Sequence, residues 1–360
     1  MKHSMLSVPA LVLLCTSTAH AQWSDNFDSY LPNSQIVNQG GWEEWGPGAG
    51  AFVSTAQARS NPNSVEIAGP SDLVHQYANI TSGKWVYRAM QYVPSTMTGQ
   101  SYFILLNRYA APQGPYNWSV QVKFDAAVGT VSADAGSLSP ASTTLVTDQW
   151  VEIKVFVDLD QDWTQFYYND TLLDDPLLAD HPTLGGGYQW SRGVFGQGGG
   201  QLEIQAVDLY ANNASPVYYD DMSLQPFVYE SHGTGCPGTM GDVTLTQVLP
   251  PVAGGAFVAQ IDNLPQSACF HILGLSRVAA SAGPLPLDMT PYGAPGCKLQ
   301  VSIDALQVLV GAQNSATFGW SIPGSPAFVG MEFYQQILAL DPTNNALGAS
   351  LSRGMSIRIQ

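Results

Sequence analysis

Positive charge is scarce in this chain: its 360 residues hold 12 Lys and Arg against 28 Asp and Glu, a formal charge of −16. Such a surface repels phosphate backbones and anionic lipid, which excludes nucleic acid as a natural partner. Glutamate is rare too, with 7 against 21 aspartates, so the acids are mostly the short type that suits turns and hard-cation sites rather than helices. Beyond the first residues no run reaches the roughly 18 apolar residues of a membrane helix. Cysteine is limited to four. None of them has a C-x-x-C partner, which argues against the usual zinc sites.

The chain does begin with a recognisable leader. "MKHSMLSVPALVLLCTSTAHAQ" places Lys2 and His3 before an apolar run and ends in the small-residue pattern Ala19-His20-Ala21, the three-part form of a secretory signal over residues 1–21. Its removal takes one lysine and no acid, so the exported protein would stand at −17. Cys15 leaves with it. Of the three remaining cysteines, Cys236 in "GTGCPG" and Cys297 in "GAPGC" each follow a rigid turn and are expected to pair in an oxidising compartment, leaving Cys269 in "ACFHILGL" as a buried thiol.

Glycine and proline together number 59 and charged residues only 11%, as expected of many short strands joined by turns. The runs "KWVYRAMQYV", "SYFILLNRY", "NWSVQVKFD", "WVEIKVFVDLD" and "VYYDDMSL" alternate with period two, the mark of strands with one apolar face. On that rule Trp118, Val120, Val122 and Phe124 share one face, and Trp85 and Gln91 face away from Arg88. Texture changes near "QPFVYESHGTGCPG". Residues 22–226, with eight of the nine tryptophans, suit one β-sandwich; residues 227–360 read as a smaller immunoglobulin-like sandwich. The fold class is all-β.

"WVEIKVFVDLDQD" (150–162) concentrates acids. A strand-borne glycosidase pair would read Glu-x-Asp-x-x-Glu, bringing two carboxylates about 5 Å apart, and that spacing is absent. Glu152 has Lys154 beside it on the same face and is expected to pair with it. Asp158, Asp160 and Asp162 have the one-three-five spacing of a calcium hand but meet Trp163 and Asn169 where Gly and Glu are required. The segment therefore reads as a hairpin turn.

"SDNFDSY", "GGWEEW", "WVEIKVFVDLD" and "VYYDDMSL" together resemble the concanavalin A-like jelly roll of legume lectins, laminin G-like domains and laminarinase-type glucanases. More narrowly, "DLVHQYANITSGKWVYRAMQYVP" with "GTGCPG", "PLPLDM" and "GAPGCKL" resembles two-domain secreted proteins of planctomycete-type environmental bacteria. The wider resemblance implies a jelly roll whose first and last strands are neighbours. It also implies a structural calcium held there, for which Asp25 or Asp28 and Asp220 or Asp221 are the matching positions. The glucanase acid motif is missing.

What remains is the concave face on which such relatives bind sugar. Sugar recognition needs flat aromatics and planar polar side chains, and Trp85, Arg88, Gln91, Tyr102, Asn107, Gln121 and Lys123 are the candidates. The expectation is a secreted or cell-surface, non-catalytic protein with a polysaccharide partner. Two alternatives stand beside it: an extracellular structural or surface-attachment protein without a small ligand, and a polysaccharide lyase or glycoside hydrolase. A lyase would need a base, and His75 and His181 are the first module's only histidines.

Overall fold

A computed structural model describes residues 23–134, 140–174, 186–193 and 199–360. The expected leader and His181 lie outside them. Strands form where apolar and polar residues alternate: along Trp150–Asp158, Val151, Ile153, Val155 and Val157 all enter one core. Turns form where short polar residues accept a left-handed backbone. Asn169 and Asp170, with φ of 46° and 60°, join Trp163–Tyr168 to Thr171–Leu172 as a two-residue hairpin, the mirror-image turn that matches strand twist.

The first module is a sandwich of two antiparallel sheets. One has nine strands, in the order Thr171–Leu172, Trp163–Tyr168, Trp150–Asp158, Lys84–Tyr92, Val217–Pro226, Ser64–Ile67, Phe52–Ser54, with Trp23–Asp25 against Val217–Pro226 and Tyr188–Gln189 against Trp163–Tyr168. The other has seven: Ser142–Thr144, Thr130–Asp134, Tyr116–Asp125, Gln100–Tyr109, Ala206–Tyr210, Asp72–Gln76, Trp42–Glu44. Neighbours far apart in sequence give the expected jelly roll, and Trp23–Asp25 does pair with the module's last strand. A single apolar cluster from Phe27 to Leu224 fills the space between the sheets.

The second module packs a six-stranded sheet, which includes Tyr229–His232, Ala268–Gly274, Glu332–Leu340 and Gly354–Arg358, against the three strands Thr244–Leu249, Ala256–Asp262 and Ala316–Ser321. Phe257, Ile261, Phe318, Ile337 and Ile357 fill this second sandwich. Cys236 and Cys297 form the expected disulfide and Cys269 is a buried free thiol, pushed up to about 11 by burial.

The second module docks on the outer face of the nine-stranded sheet through charge. Lys84 bridges Asp158 at 3.1 Å and Glu332 at 2.5 Å; Arg88 joins Glu152 at 3.2 Å and Glu230; Arg353 reaches Asp170 at 2.5 Å. Glu152 therefore pairs with Arg88 across the strands rather than with Lys154, whose ammonium donates to the Ser231 carbonyl at 3.2 Å. Register explains the exchange, because Lys154 lies opposite Arg88 and its long stem points over the second module's chain.

"DLDQD" is the expected hairpin turn, linking Trp150–Asp158 to Trp163–Tyr168. Its aspartates splay to separate partners. Asp158 Oδ1 accepts from the Asp160 and Gln161 amides, Asp160 Oδ1 from the Gly83 amide, and the Asp162 carboxylate from Ser191 and Gln189.

Candidate functional site

The outer face of the seven-stranded sheet carries the chemistry. Pairing registers set out its rows: Asp72, Tyr210, Tyr102 and Lys123 lie side by side, then Glu43, Val74, Asp208, Ile104 and Gln121, then Gln76, Ala206, Leu106 and Trp118. Val74, Ile104, Leu106, Tyr109 and Ala206 form a small buried apolar floor, with Trp45, Tyr102, Tyr116, Trp118 and Tyr210 half-buried around it.

Alternation alone would not have produced this face. Between Gln100–Tyr109 and Tyr116–Asp125, Leu105 pairs with Val120 but Leu106 with Trp118, and Arg108 then pairs with Asn117. Ser119 is thus an extra residue on one strand and Asn107 on the other. A bulge re-aims the side chains beyond it, so Trp118 leaves the face of Val120, Val122 and Phe124, contrary to the period-two expectation, and joins Tyr109 and Tyr116 outside. The result is an aromatic platform. Trp45 and Trp118 lie parallel, 5.9 Å apart with planes 8° from parallel; Tyr116 and Tyr109 flank Trp45 at 4.6 and 5.0 Å. Tyr102 and Tyr210 stack 5.7 Å apart two rows away from Trp118.

The polar groups around the platform are tied in place. Tyr102 donates to Gln100 Oε1 at 3.1 Å, Gln100 donates to Asp125 at 2.6 Å, and Lys123 stands 3.5 Å from the same carboxylate. Tyr210 donates to Asn212 at 2.9 Å.

On the same face, in the rows of Tyr210 and Ile104, lies a carboxyl pair that the sequence did not reveal. Asp72 and Asp208 come from neighbouring strands, one row apart on the same face. Asp208 is 3% exposed, and the Oδ1 atoms of both are buried without a donor. Burial first, and the facing Asp72 carboxyl second, hold Asp208 well above the usual carboxylate range; burial also raises Asp72. Two facing carboxyls repel when both are ionised, and a proton retained by the pair relieves that repulsion. Nearby, burial and the Glu43 carboxylate keep the Tyr109 phenol protonated.

The structure gathers three of the seven expected ligand residues here: Tyr102, Gln121 and Lys123. The other four are elsewhere. Trp85 is in the core, its indole donating to the Ser82 carbonyl at 2.9 Å. Gln91 is fully buried and donates to the Tyr219 hydroxyl at 2.8 Å. Asn107, buried at its bulge, donates to the Trp190 carbonyl at 3.1 Å and accepts from the Gln201 amide at 3.2 Å. Arg88 serves the module interface. The sequence pattern offers these polar residues as ligand groups, whereas the buried amides satisfy structural hydrogen bonds inside the fold. His75 also points inward, against Trp23 at 4.5 Å and the Gly40 carbonyl at 3.1 Å. Trp45, Tyr109, Tyr116 and Tyr210 are not in the expected set; aromatic density around residues 102–118 signals Tyr109 and Tyr116, and nothing local signals Trp45 or Tyr210.

The four aspartates expected to hold calcium do not fit an ion as they stand, because protein donors already occupy three of them. Asp25 accepts from the Phe27 amide at 2.8 Å, the Tyr30 hydroxyl at 2.5 Å and the Trp42 indole at 2.9 Å. Asp28 accepts from the Asn63 amide at 3.0 Å and from Asn26 at 2.8 Å. Asp220 accepts from the amides of Arg59, Ser60 and Asp221, and burial still lifts it to about 6. Asp221 stands at a strand irregularity with φ of 45° and faces a surface recess shared with Asp25. Among the described residues no three His, Cys, Asp or Glu side chains converge on one point.

No protein-family model matches the chain, and no curated protein matches it. Among solved structures it is similar to a sialidase, at 8% identity and a TM-score of 0.39 over 57% of this chain and 18% of that one. It is similar to the catalytic domain of a glycoside hydrolase family 131 protein from Coprinopsis cinerea, at 11% and 0.36 over 57% and 94%. A third is the carbohydrate-binding module CBM66 from Bacillus subtilis, at 11% and 0.33 over 52% and 97%. The chain spans 18% of that sialidase and 27% of the sialidase from Trypanosoma rangeli. At these identities the likeness concerns sandwich architecture alone, and nothing in it bears on the narrower resemblance to planctomycete-type proteins.

Proposed function

We propose that this is a secreted, non-catalytic protein that binds polysaccharide on the outer face of the seven-stranded sheet. The observation that carries the reading is the paired bulge at Asn107 and Ser119, which turns Trp118, Tyr109 and Tyr116 out of the core and beside Trp45. Turning large aromatics away from a core forgoes burial, and a flat half-buried ring pair flanked by Gln121 and Lys123 suits the C–H face and hydroxyls of a sugar ring. Glycan-array binding by the exported chain, lost in Trp118→Ala and kept in Arg88→Ala, is the expected result. Binding that survives in Trp118→Ala would sink the reading.

Hydrolysis is the second reading, and Asp72 with Asp208 is the observation that favours it. A retaining pair stands about 5–5.5 Å apart and an inverting pair farther, each flanking the scissile bond. Asp72 and Asp208 stand on adjacent rows of neighbouring strands, and Asp208 is buried rather than at the surface. That geometry suits a shared proton in the floor. No release of reducing ends from β-glucans is expected. Release that stops in Asp208→Asn would instead establish an enzyme.

A further inference from the structure

A cavity of about 250 Å³ lies between the two modules, on the side opposite the aromatic platform. Its walls come from the nine-stranded sheet, with Phe156, Gln165 and Tyr167, and from the second module, with His232, Arg277 and Tyr334. Leu275, 73% exposed, marks its rim beside Arg277.

Three cations, Lys84, Lys154 and Arg277, and three acids, Asp158, Glu230 and Glu332, line this cavity, but they pair unevenly. Lys84 is held by Asp158 and Glu332, and Glu230 by Arg88. Two cations are left without a close carboxylate of their own. Lys154 lies 5.1 Å from the centre of the Tyr167 ring, donates to a backbone carbonyl, and is 3.9 Å from an Asp170 that Arg353 already holds at 2.5 Å. Arg277 donates to the neutral Gln165 Oε1 at 3.1 Å and lies 5.8 Å from the Phe156 ring; no carboxylate pairs with it among the described residues. In a chain with 28 acids and 12 Lys and Arg, a half-buried guanidinium without a counter-ion is unexpected, because removing its water without an anion is unfavourable. Burial and the Arg277 charge together push His232 down to about 3, so the histidine adds no competing charge.

From Arg277 and Lys154 converging on one aromatic-walled cavity, we propose that this cavity binds a sugar acid, its carboxylate on Arg277 and Lys154 and its ring against Tyr167 and Phe156. A guanidinium forks to a carboxylate in two parallel bonds. Gln161, Gln165, Ser276 and Ser356 supply amides and hydroxyls for the ring. The volume falls below the roughly 300–1,000 Å³ of drug-sized ligand sites, which suits one ring rather than a chain. This site is separate from the aromatic platform and does not depend on it.

Isothermal titration of the exported chain with D-galacturonate, with D-galactose and acetate as controls, tests the assignment. Galacturonate is expected to bind at about millimolar Kd, near −4 kcal/mol, with the two controls at least tenfold weaker. Arg277→Met should lose at least tenfold, Arg277→Lys should retain part, and Trp118→Ala should bind as the native chain does. Equal binding of galactose would overturn the role of the cations, and equal binding of acetate would overturn the sugar ring. Undiminished galacturonate binding by Arg277→Met would overturn the site. If that variant does not fold, the native chain decides through salt: binding to a cation pair weakens as NaCl rises, and affinity independent of NaCl would sink the proposal.

Discussion

The two outer faces of the first sandwich are built by the same alternation yet differ in kind. On the nine-stranded sheet the outward positions carry Lys84, Arg88, Glu152, Lys154 and Asp158, and a second module is bound there by ion pairs. On the seven-stranded sheet they carry Trp45, Tyr102, Tyr116, Trp118 and Tyr210, with the acid pair Asp72 and Asp208 on the same face. Where these charges lie the first face is regular: Lys84–Tyr92 pairs with Trp150–Asp158 without a shift over nine positions, and the sheet's irregularity falls on the other side of Lys84–Tyr92, at Asp220–Ser223. The second depends on two bulges. Long charged side chains reach a partner from any regular strand, whereas a ring platform needs particular residues turned to one side.

Breaking the charged face should have the largest effect. Burial works against the Lys84 charge, but Glu332 and Asp158 outweigh it and raise its pKa. Asp158 is 3% exposed, so Lys84→Ala leaves a buried carboxylate with no cation. About 3–5 kcal/mol should be lost in urea unfolding, the scale of a buried pair stripped of one partner. Arg88, with 29% of its side chain exposed, should lose about 1 kcal/mol on replacement by alanine. A Lys84→Ala loss no greater than that of Arg88→Ala would mean that this face is solvated rather than an interface.

Breaking the aromatic face should separate binding from stability. Trp118→Ala is expected to weaken glycan binding at least tenfold, about 1.4 kcal/mol, the behaviour of a central aromatic anchor. Unfolding should change by about 1 kcal/mol, because Trp118 is half-buried and its main contact is the stacked Trp45. Deleting Ser119 sharpens the comparison: it would restore period-two register, turn Trp118 inward and cost both properties. If deletion left glycan binding intact, the bulge would have no part in building the site.

The contrast also marks what could be read from sequence. Alternation in "WVEIKVFVDLD" located its strand, its core valines and the hairpin after it, because nothing interrupts the pleat. The Cys236–Cys297 pairing followed from two turn-held thiols. Alternation in "NWSVQVKF" misplaced Trp118, since a bulge is one unpaired residue with no fixed signature. Trp85, Gln91 and Asn107 look like ligand groups in a list of residue types. Whether an amide meets a sugar or the Tyr219 hydroxyl depends on which strands become neighbours. The same reason hid Asp72 and Asp208, whose proximity is created by pairing between distant segments.

The acid pair gives a smaller effect with a definite sign. A carboxyl whose folded pKa is raised holds its proton more tightly in the native state, so its contribution is fully present below the unfolded value, about 3.9. It is lost as pH rises through the folded value. Asp208 and Asp72 are raised, and Asp220 is lifted to about 6, so stability should fall from about pH 4 upward. Asp208→Asn keeps a donor for Asp72 and removes one buried charge. It should be more stable than the native chain at pH 8 by about 1–3 kcal/mol, and should keep the Asp72 and Asp220 declines above about pH 4 while losing that of Asp208. Identical pH profiles for the two proteins would show that the carboxyls are hydrated and uncoupled.

The smallest expected effect concerns the strand Trp23–Asp25 and the aspartates expected to hold calcium. Trp23–Asp25 is already joined to Val217–Pro226 by strand pairing, and the Asp25, Asp28 and Asp220 carboxylates are filled by amide, indole, phenol and side-chain donors. An ion would have to displace those donors to bind. If one did bind, at a concentration 100 times its Kd, chelation would remove about 2.7 kcal/mol, a shift of several degrees in Tm for a domain of this size. We therefore expect matching thermal melts in EDTA and in millimolar CaCl2. A rise in Tm with calcium that disappears in Asp221→Asn would instead place an ion at the recess beside Asp25, and the hydrogen bonds now made by Asp25 would have to rearrange to admit it.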